Sequence, residues 1–363
     1  MSTTETTTAA TRRRSVLALA FGIPISAGFL VVAIRGTDLQ AAWRTVRGAN
    51  LSWLALAIVG LCVFMVGGGA RWSVLLRRVR HTSVPVGTAV VVVAVALSNS
   101  IPGRPGDVAR VWWAARTSTK PTGHAASTVV LDRVADVIIL TAALAVAAAS
   151  SPPRRGLTAI LVGAMLLTLT FLGLIAAAVF YCHSARGKTR AVAEIERSPM
   201  RTIVSTFLRG LADLSVSQAV LTICLTLVAW IGFGFTAWAT GRALRIDLSV
   251  LTIVMLTAVV NLGIAIPSSP GFVGTYQWLV VATLEPYGFS RATAFAYSLV
   301  LHAVTLIPPT IAGYAILGIA VRTGRLNGLT LRPRTDRSPE KNRPDHATGR
   351  CDEVNRDRRT RTG

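Results

Sequence analysis

Six stretches of this chain carry almost no charge: Ser15–Ile34, Leu51–Ala70, Val137–Ser150, Leu157–Tyr181, Val216–Thr240 and Phe295–Val321. Several reach the roughly 20 residues that a helix needs to cross a hydrocarbon core of about 30 Å. Inside lipid every backbone amide must be paired, which leaves helices or closed barrels. The period-two alternation of barrel strands is absent, so the runs are predicted to be helices. The remaining composition agrees: 52% of residues are hydrophobic, 15% are charged, and the mean hydropathy is +0.54. These values fit a polytopic membrane protein rather than a soluble domain.

The formal charge of +22 would suggest nucleic acid in a soluble protein. Here the basic residues fall in loops and tail, where they orient the chain and meet an anionic lipid surface. No basic surface interleaved with aromatics is present, so nucleic acid is not an expected partner. Cys62, Cys182, Cys224 and Cys351 are far apart, and neither they nor the five histidines show ligand spacing. No metal and no cofactor is therefore expected. No catalytic residues are assigned either, because serine–histidine–aspartate, HExxH and glycine-rich nucleotide patterns are missing. The expectation is that the chain is not an enzyme.

The positive-inside rule threads the chain. Residues 1–14, ending in Arg12-Arg13-Arg14, are placed in the cytoplasm, and 15–34 reads as an uncleaved first span. The second span, 51–70, returns to a basic cytoplasmic segment, "RWSVLLRRVRH". Full spans follow at about 125–149, 157–181, 216–240 and 292–321. The segments 84–118 and 248–290 enter and leave on one side each, from opposite faces. The predicted fold is all-α and polytopic, with six full transmembrane helices and two oppositely oriented re-entrant helical hairpins; about eight full spans is the alternative. Residues 15–321 form the transmembrane domain. Residues 322–363 are expected to be a disordered, basic, cytoplasmic tail, and the plasma membrane is the expected location. The oligomeric state is not specified.

Each hairpin carries a break with the same pattern, I-P-x-x-P-G-x-V. The first reads Ile101-Pro102-Gly103-Arg104-Pro105-Gly106-Asp107-Val108, the second Ile266-Pro267-Ser268-Ser269-Pro270-Gly271-Phe272-Val273. The pair reads as an inverted repeat of broken helices meeting at the membrane midplane; two plain interfacial loops are the alternative. Pro102, Gly103, Pro105, Pro267 and Pro270 are the predicted hinge residues. Proline at N1 is pre-set for helix entry, so Pro105 and Pro270 are each expected to start a half-helix, with Ser269 as the second one's N-cap. The first copy has Arg104 at that position. A positive helix end, free amides at Gly106 and a guanidinium together make an anion site. Arg110 adds a second positive group, and Asp107 suits the helix start and is placed to pair with Arg110.

The next span carries "LDRVAD", where Asp132 and Asp136 are i,i+4 neighbours and Arg133 is set to pair with Asp136. These residues read either as an ion pair closing on Arg104 or Arg110, or as a polar wall of a substrate path. Tyr276 and Gln277, about two turns past Gly271, either face the cavity or serve in packing. His302 reads as a buried, hydrogen-bonded histidine rather than a proton relay.

On these residues the chain resembles the lysylphosphatidylglycerol synthase transmembrane region, a flippase-like superfamily. "PGRPGDVAR" with "LDRVAD" is similar to that family's PGRxGE-hydrophobic-R and E-R-hydrophobic-D elements. "PSSPGFVGTYQ" is similar to its PxxPGGxGxxE motif. Asp107 and Asp132 stand where glutamate is more usual, and Gln277 replaces a common glutamate, which removes a carboxylate. The resemblance implies translocation of an anionic or aminoacylated phospholipid, or of a polyprenyl-phosphate-linked lipid, with a phosphate-bearing headgroup as the bound partner. The alternatives are a membrane enzyme or accessory subunit in lipid-linked glycan or envelope synthesis, and a non-transporting scaffold.

Overall fold

The computed structural model describes residues 24–101, 105–118, 120–150, 206–210, 213–264 and 269–323, with scattered helical positions between 162 and 173. All belong to one compact unit. Among the described residues the fold is entirely helical. In chain order the helices are α1 (Pro24–Ile34), α2 (Leu39–Arg47), α3 (Leu51–Leu76), α4 (Val84–Ser100), α5 (Pro105–Arg116), α6 (Thr122–Ala149), α7 (Val216–Ala243), α8 (Val250–Gly263), α9 (Thr275–Leu284) and α10 (Arg291–Thr323). Helices α3, α7 and α10 are long and apolar enough to cross a membrane. Helix α6 has 28 residues but carries Asp132, Arg133 and Asp136 within it. The chain is an all-α polytopic membrane protein.

The two apolar helices α3 and α7 pack backbone to backbone. A Cβ on Gly60 would lie 2.7 Å from the Gly232 carbonyl oxygen, and one on Gly232 would lie 2.9 Å from that of Gly60. Between membrane helices, where no hydrophobic force drives association, such close approach provides the dispersion contacts. The Thr236 hydroxyl donates across the same crossing to the Ala57 carbonyl at 3.1 Å. On the other side, α10 holds α7 through the buried Tyr297 hydroxyl, which donates to the Ala237 carbonyl at 2.8 Å.

Helix α10 contains Pro308 and Pro309 in its interior. Neither has an amide hydrogen, so the carbonyls of Val304 and Thr305 lose their helical donors. The end of α4 is fastened just beyond this level: the Asn99 amide donates to Thr310 Oγ1 at 2.9 Å.

Two cores accompany the two hairpins. Trp72, Leu76, Val90, Trp113 and Ala125 form the smaller one, against the α4–α5 hairpin. The larger contains Met255, Leu256, Val280, Tyr297 and Leu301 around the α8–α9 hairpin. Helix α5 begins at Pro105, as expected, and Gly106 sits so close to α4 that a Cβ would lie 1.9 Å from the Ala94 carbonyl oxygen.

The second hairpin departs from expectation. Pro270 opens only a three-residue 3-10 turn, Pro270–Phe272, and Ser269 provides no side-chain cap. Instead the Ser269 hydroxyl donates to the Val273 carbonyl at 3.2 Å. Gly271, Phe272 and Gly274 all have positive φ, at 67°, 57° and 89°, and α9 starts at Thr275. A helix through Gly-Phe-Val-Gly-Thr would combine two glycines with poor helix formers, so the chain unwinds there.

Two other features differ from the sequence reading. Helix α3 runs on to Leu76, which puts Arg71 inside the bundle rather than in a cytoplasmic segment. Residues 39–47, between the first two predicted spans, form an amphipathic helix capped by Asp38, whose carboxylate accepts from the Ala41 amide at 2.9 Å. Pro102, Gly103, Arg104, Pro267, residues 1–14, the tail beyond Thr323 and most of the 157–181 span lie outside the described residues.

Candidate functional site

A cavity of about 530 Å³ lies between the hairpins, lined from α3, α4, α5, α6, α7, α8, α9, α10 and the Pro270 turn. Six charged residues line it: Arg71, Asp107, Arg110, Asp132, Arg133 and Asp136. Helical spacing puts Asp132 and Asp136 on one face of α6, and α3 presents Arg71 to both. Arg71 Nε donates to Asp132 Oδ1 at 2.6 Å; Nη1 and Nη2 donate to the two Asp136 oxygens at 2.6 and 3.2 Å. Nη1 also reaches Thr226 Oγ1 at 3.2 Å, and Trp230 Nε1 donates to Asp136 at 3.0 Å.

Asp132 accepts a second arginine on its other oxygen: Arg110 Nη2 donates to Oδ2 at 2.8 Å. The Arg110 guanidinium also lies over the Trp72 ring, 4.6 Å from its centroid, an arrangement favoured by the ring quadrupole. Asp107 pairs chiefly with Arg133, at 2.7 Å, and lies 3.7 Å from Arg110. Arg133 meets Asp136 at 3.6 Å. The expected i,i+3 contacts exist, but the shorter bonds join different helices. Asp132 and Arg110 side chains are each 4% exposed, whereas Arg133 is 41% exposed. Burial of so many charges is tolerated because each has partners; an isolated one would carry a desolvation cost of several kcal/mol.

The α5 start is less open than the sequence suggested. The Gly106 amide donates to Ser98 Oγ at 3.2 Å, so one of the first-turn donors is already satisfied. The Nε atoms of Arg110 and Arg133 are buried without hydrogen-bond partners among the described residues.

Across the cavity the second hairpin contributes neutral groups. Tyr276 and Gln277 are both buried, 5% and 3% exposed. Gln277 Oε1 accepts from the Gly274 amide at 2.7 Å and its Nε2 faces His302 Nδ1 at 2.9 Å. An amide with its oxygen so engaged donates from nitrogen, so His302 Nδ1 is the acceptor and the imidazole is neutral. The Tyr276 ring stacks on His302, centroids 4.3 Å apart and 11° between planes. Thus Tyr276 lines the cavity, while Gln277 holds the helix start and the histidine. Gly271 and Ser269 stand in the turn beneath them, and neither is among the cavity-lining residues.

Sequence reasoning missed Arg71, Trp230, Asn99 and Asn261. For Arg71 a signal existed: "WSVLL" continues the apolar pattern past it, so a helix ending at residue 70 was too short.

A polytopic helical bundle with two broken hairpins around a charged cavity defines a class of membrane protein. The family model for the lysylphosphatidylglycerol synthase TM region matches residues 16–313, and the chain belongs to that family. A search of curated proteins and a search of solved structures each found no match.

Proposed function

We propose that this protein moves a phosphate-bearing lipid between membrane leaflets. The observation that carries the reading is the cavity itself: it joins both hairpins, and its charged end sets three arginines among three aspartates inside a largely apolar bundle. In this mechanism the headgroup enters the cavity while the acyl or prenyl chains stay in lipid. Its phosphate meets Arg133 and Arg110, whose Nε donors have no protein partner among the described residues, and Arg104, just ahead of α5 in sequence. Charge-assisted bonds of this kind offset the cost of desolvating the phosphate. Arg71 is held by two aspartates and keeps the network in shape.

Helix lengths support re-entrant hairpins. At about 1.5 Å per residue, α4 and α5 measure roughly 25 and 18 Å, and α8 and α9 roughly 21 and 15 Å. None matches a core of about 30 Å. The hairpins would enter from opposite faces of the plasma membrane with both termini in the cytoplasm, as the distribution of basic residues favours. A translocation step needs no nucleophile or acid–base pair.

Arg133→Ala removes the most exposed guanidinium of the network and leaves the buried pairs in place; Arg104→Ala removes the one before α5. In vesicles containing the purified chain and a fluorescent anionic phospholipid, each is expected to slow leaflet exchange by about tenfold or more. Unchanged exchange in both variants would remove the proposed phosphate site.

A further inference from the structure

We infer that the neutral end of the cavity is a second subsite, which selects headgroups carrying hydroxyl groups beyond the phosphate. The inference rests on the translocation reading above and names the substrate class for the same cavity. The residues are Asn99, Asn261, Tyr276 and Thr305, all in the cavity wall, with His302 behind Tyr276.

Each of these residues keeps a hydrogen-bonding valence unspent. Asn261 donates its amide to the Thr257 carbonyl at 2.8 Å, and Asn99 donates to Thr310 at 2.9 Å. Their side-chain carbonyl oxygens accept nothing from other described residues. Thr305 Oγ1 donates to the Leu301 carbonyl at 2.9 Å and accepts no hydrogen bond of normal geometry from other described residues. The Tyr276 hydroxyl, 95% of its residue buried, faces Thr305 and makes no hydrogen bond of normal geometry. Buried polar groups in proteins are nearly always satisfied, and an unsatisfied cluster on a cavity wall is complementary to a ligand.

The chemistry of that ligand is set by what the cluster lacks. Its groups are neutral acceptors and one hydroxyl donor, which match alcohols: each alcohol donates to a carbonyl or accepts from the phenol. An ammonium is a poorer match. Every described carboxylate lining the cavity is held by at least one arginine, so a cation would be desolvated against uncharged oxygens alone. Tyr276 is also rigid, because its ring is stacked on a histidine that Gln277 fixes in turn. A rigid hydroxyl loses little entropy when it binds.

The test uses the full chain in vesicles with acyl-labelled phospholipids identical except for the headgroup: phosphatidic acid, phosphatidylglycerol, phosphatidylinositol and phosphatidylethanolamine. The wild type is expected to exchange the glycerol and inositol lipids about tenfold faster than phosphatidic acid, and the ethanolamine lipid slowest. Tyr276→Phe, which keeps the stacked ring, and Asn261→Leu should each lower the rates for the hydroxylated lipids by about 3- to 10-fold, and the rate for phosphatidic acid by clearly less. Thermal unfolding in detergent checks that the variants are folded, and Thr305→Val carries the test if Tyr276→Phe is not. Equal rates for phosphatidic acid and the hydroxylated lipids, a preference for ethanolamine, or variant losses that are the same for all headgroups would overturn the inference. If the wild type exchanges every anionic lipid alike, only this inference falls; if it exchanges none, the translocation reading falls with it.

Discussion

In the first hairpin the helix opens on Pro105 itself, whereas in the second it opens only at Thr275, beyond Pro270 and a stretch with three positive φ angles. The two copies share I-P-x-x-P-G-x-V, so the motif alone determines that the helix breaks. The residues at the end of the motif and just beyond it determine how the helix restarts. Asp107-Val-Ala-Arg favours immediate helix, with an acid in the first turn where the dipole suits it. Phe272-Val-Gly-Thr does not, and the restart is delegated to Gln277, which reaches back to the Gly274 amide. The consequence is chemical as well as geometric. Past its break the first hairpin presents charge to the cavity through Asp107 and Arg110, whereas the second presents the neutral Tyr276.

The contrast can be broken from the charged side with the largest effect. Asp132→Ala leaves Arg71 and Arg110 without their shared carboxylate in the interior. Breaking a buried pair in this way costs about 3–5 kcal/mol, so most of the protein is expected to be lost from the folded fraction in detergent. Chemical denaturation of Asp132→Asn, which keeps the shape and an acceptor oxygen, should show a smaller loss. If Asp132→Ala unfolds at the wild-type midpoint, the network does not hold α3, α5 and α6 together.

A smaller effect is expected at the second break. Gly274→Ala would put a Cβ 2.1 Å from the Ser26 carbonyl oxygen at a φ of 89°, and overpacking with strain costs about 1–3 kcal/mol. The damage should be confined to α1 and α9, read as faster amide exchange there than in α5. Uniform destabilisation would mean that the two hairpins are not independent. The smallest change is Gln277→Leu, which removes one cap and one histidine contact. A loss of about 1–2 kcal/mol in thermal stability is expected, with no change in the first hairpin.

Much of this fold can be read from the residues. Charge-free runs locate α3, α7 and α10, and paired prolines and glycines locate both breaks. The aspartates of α6 identify themselves because ionisable groups are so rare in apolar runs. Arg71 escaped because a basic segment lies close behind it, so the same positive charge reads as a membrane edge. The late start of α9 escaped because positive φ at Phe272 depends on packing, not on any propensity of phenylalanine. The cross-helix partners, Arg71 with Asp132 and Arg133 with Asp107, are set by tertiary geometry that i,i+3 and i,i+4 rules do not contain.

The double proline in α10 gives that helix a soft joint. A helix resists bending through its ladder of amide bonds, and at Pro308–Pro309 two consecutive rungs are missing. Thr305, in the cavity wall, lies one turn before the joint, and Thr310, where Asn99 is fastened, lies just after it. The joint borders the cavity at its neutral end, at the level where α10 has the fewest helical hydrogen bonds to resist bending. The weak point of the longest described helix therefore sits beside the neutral wall of the cavity.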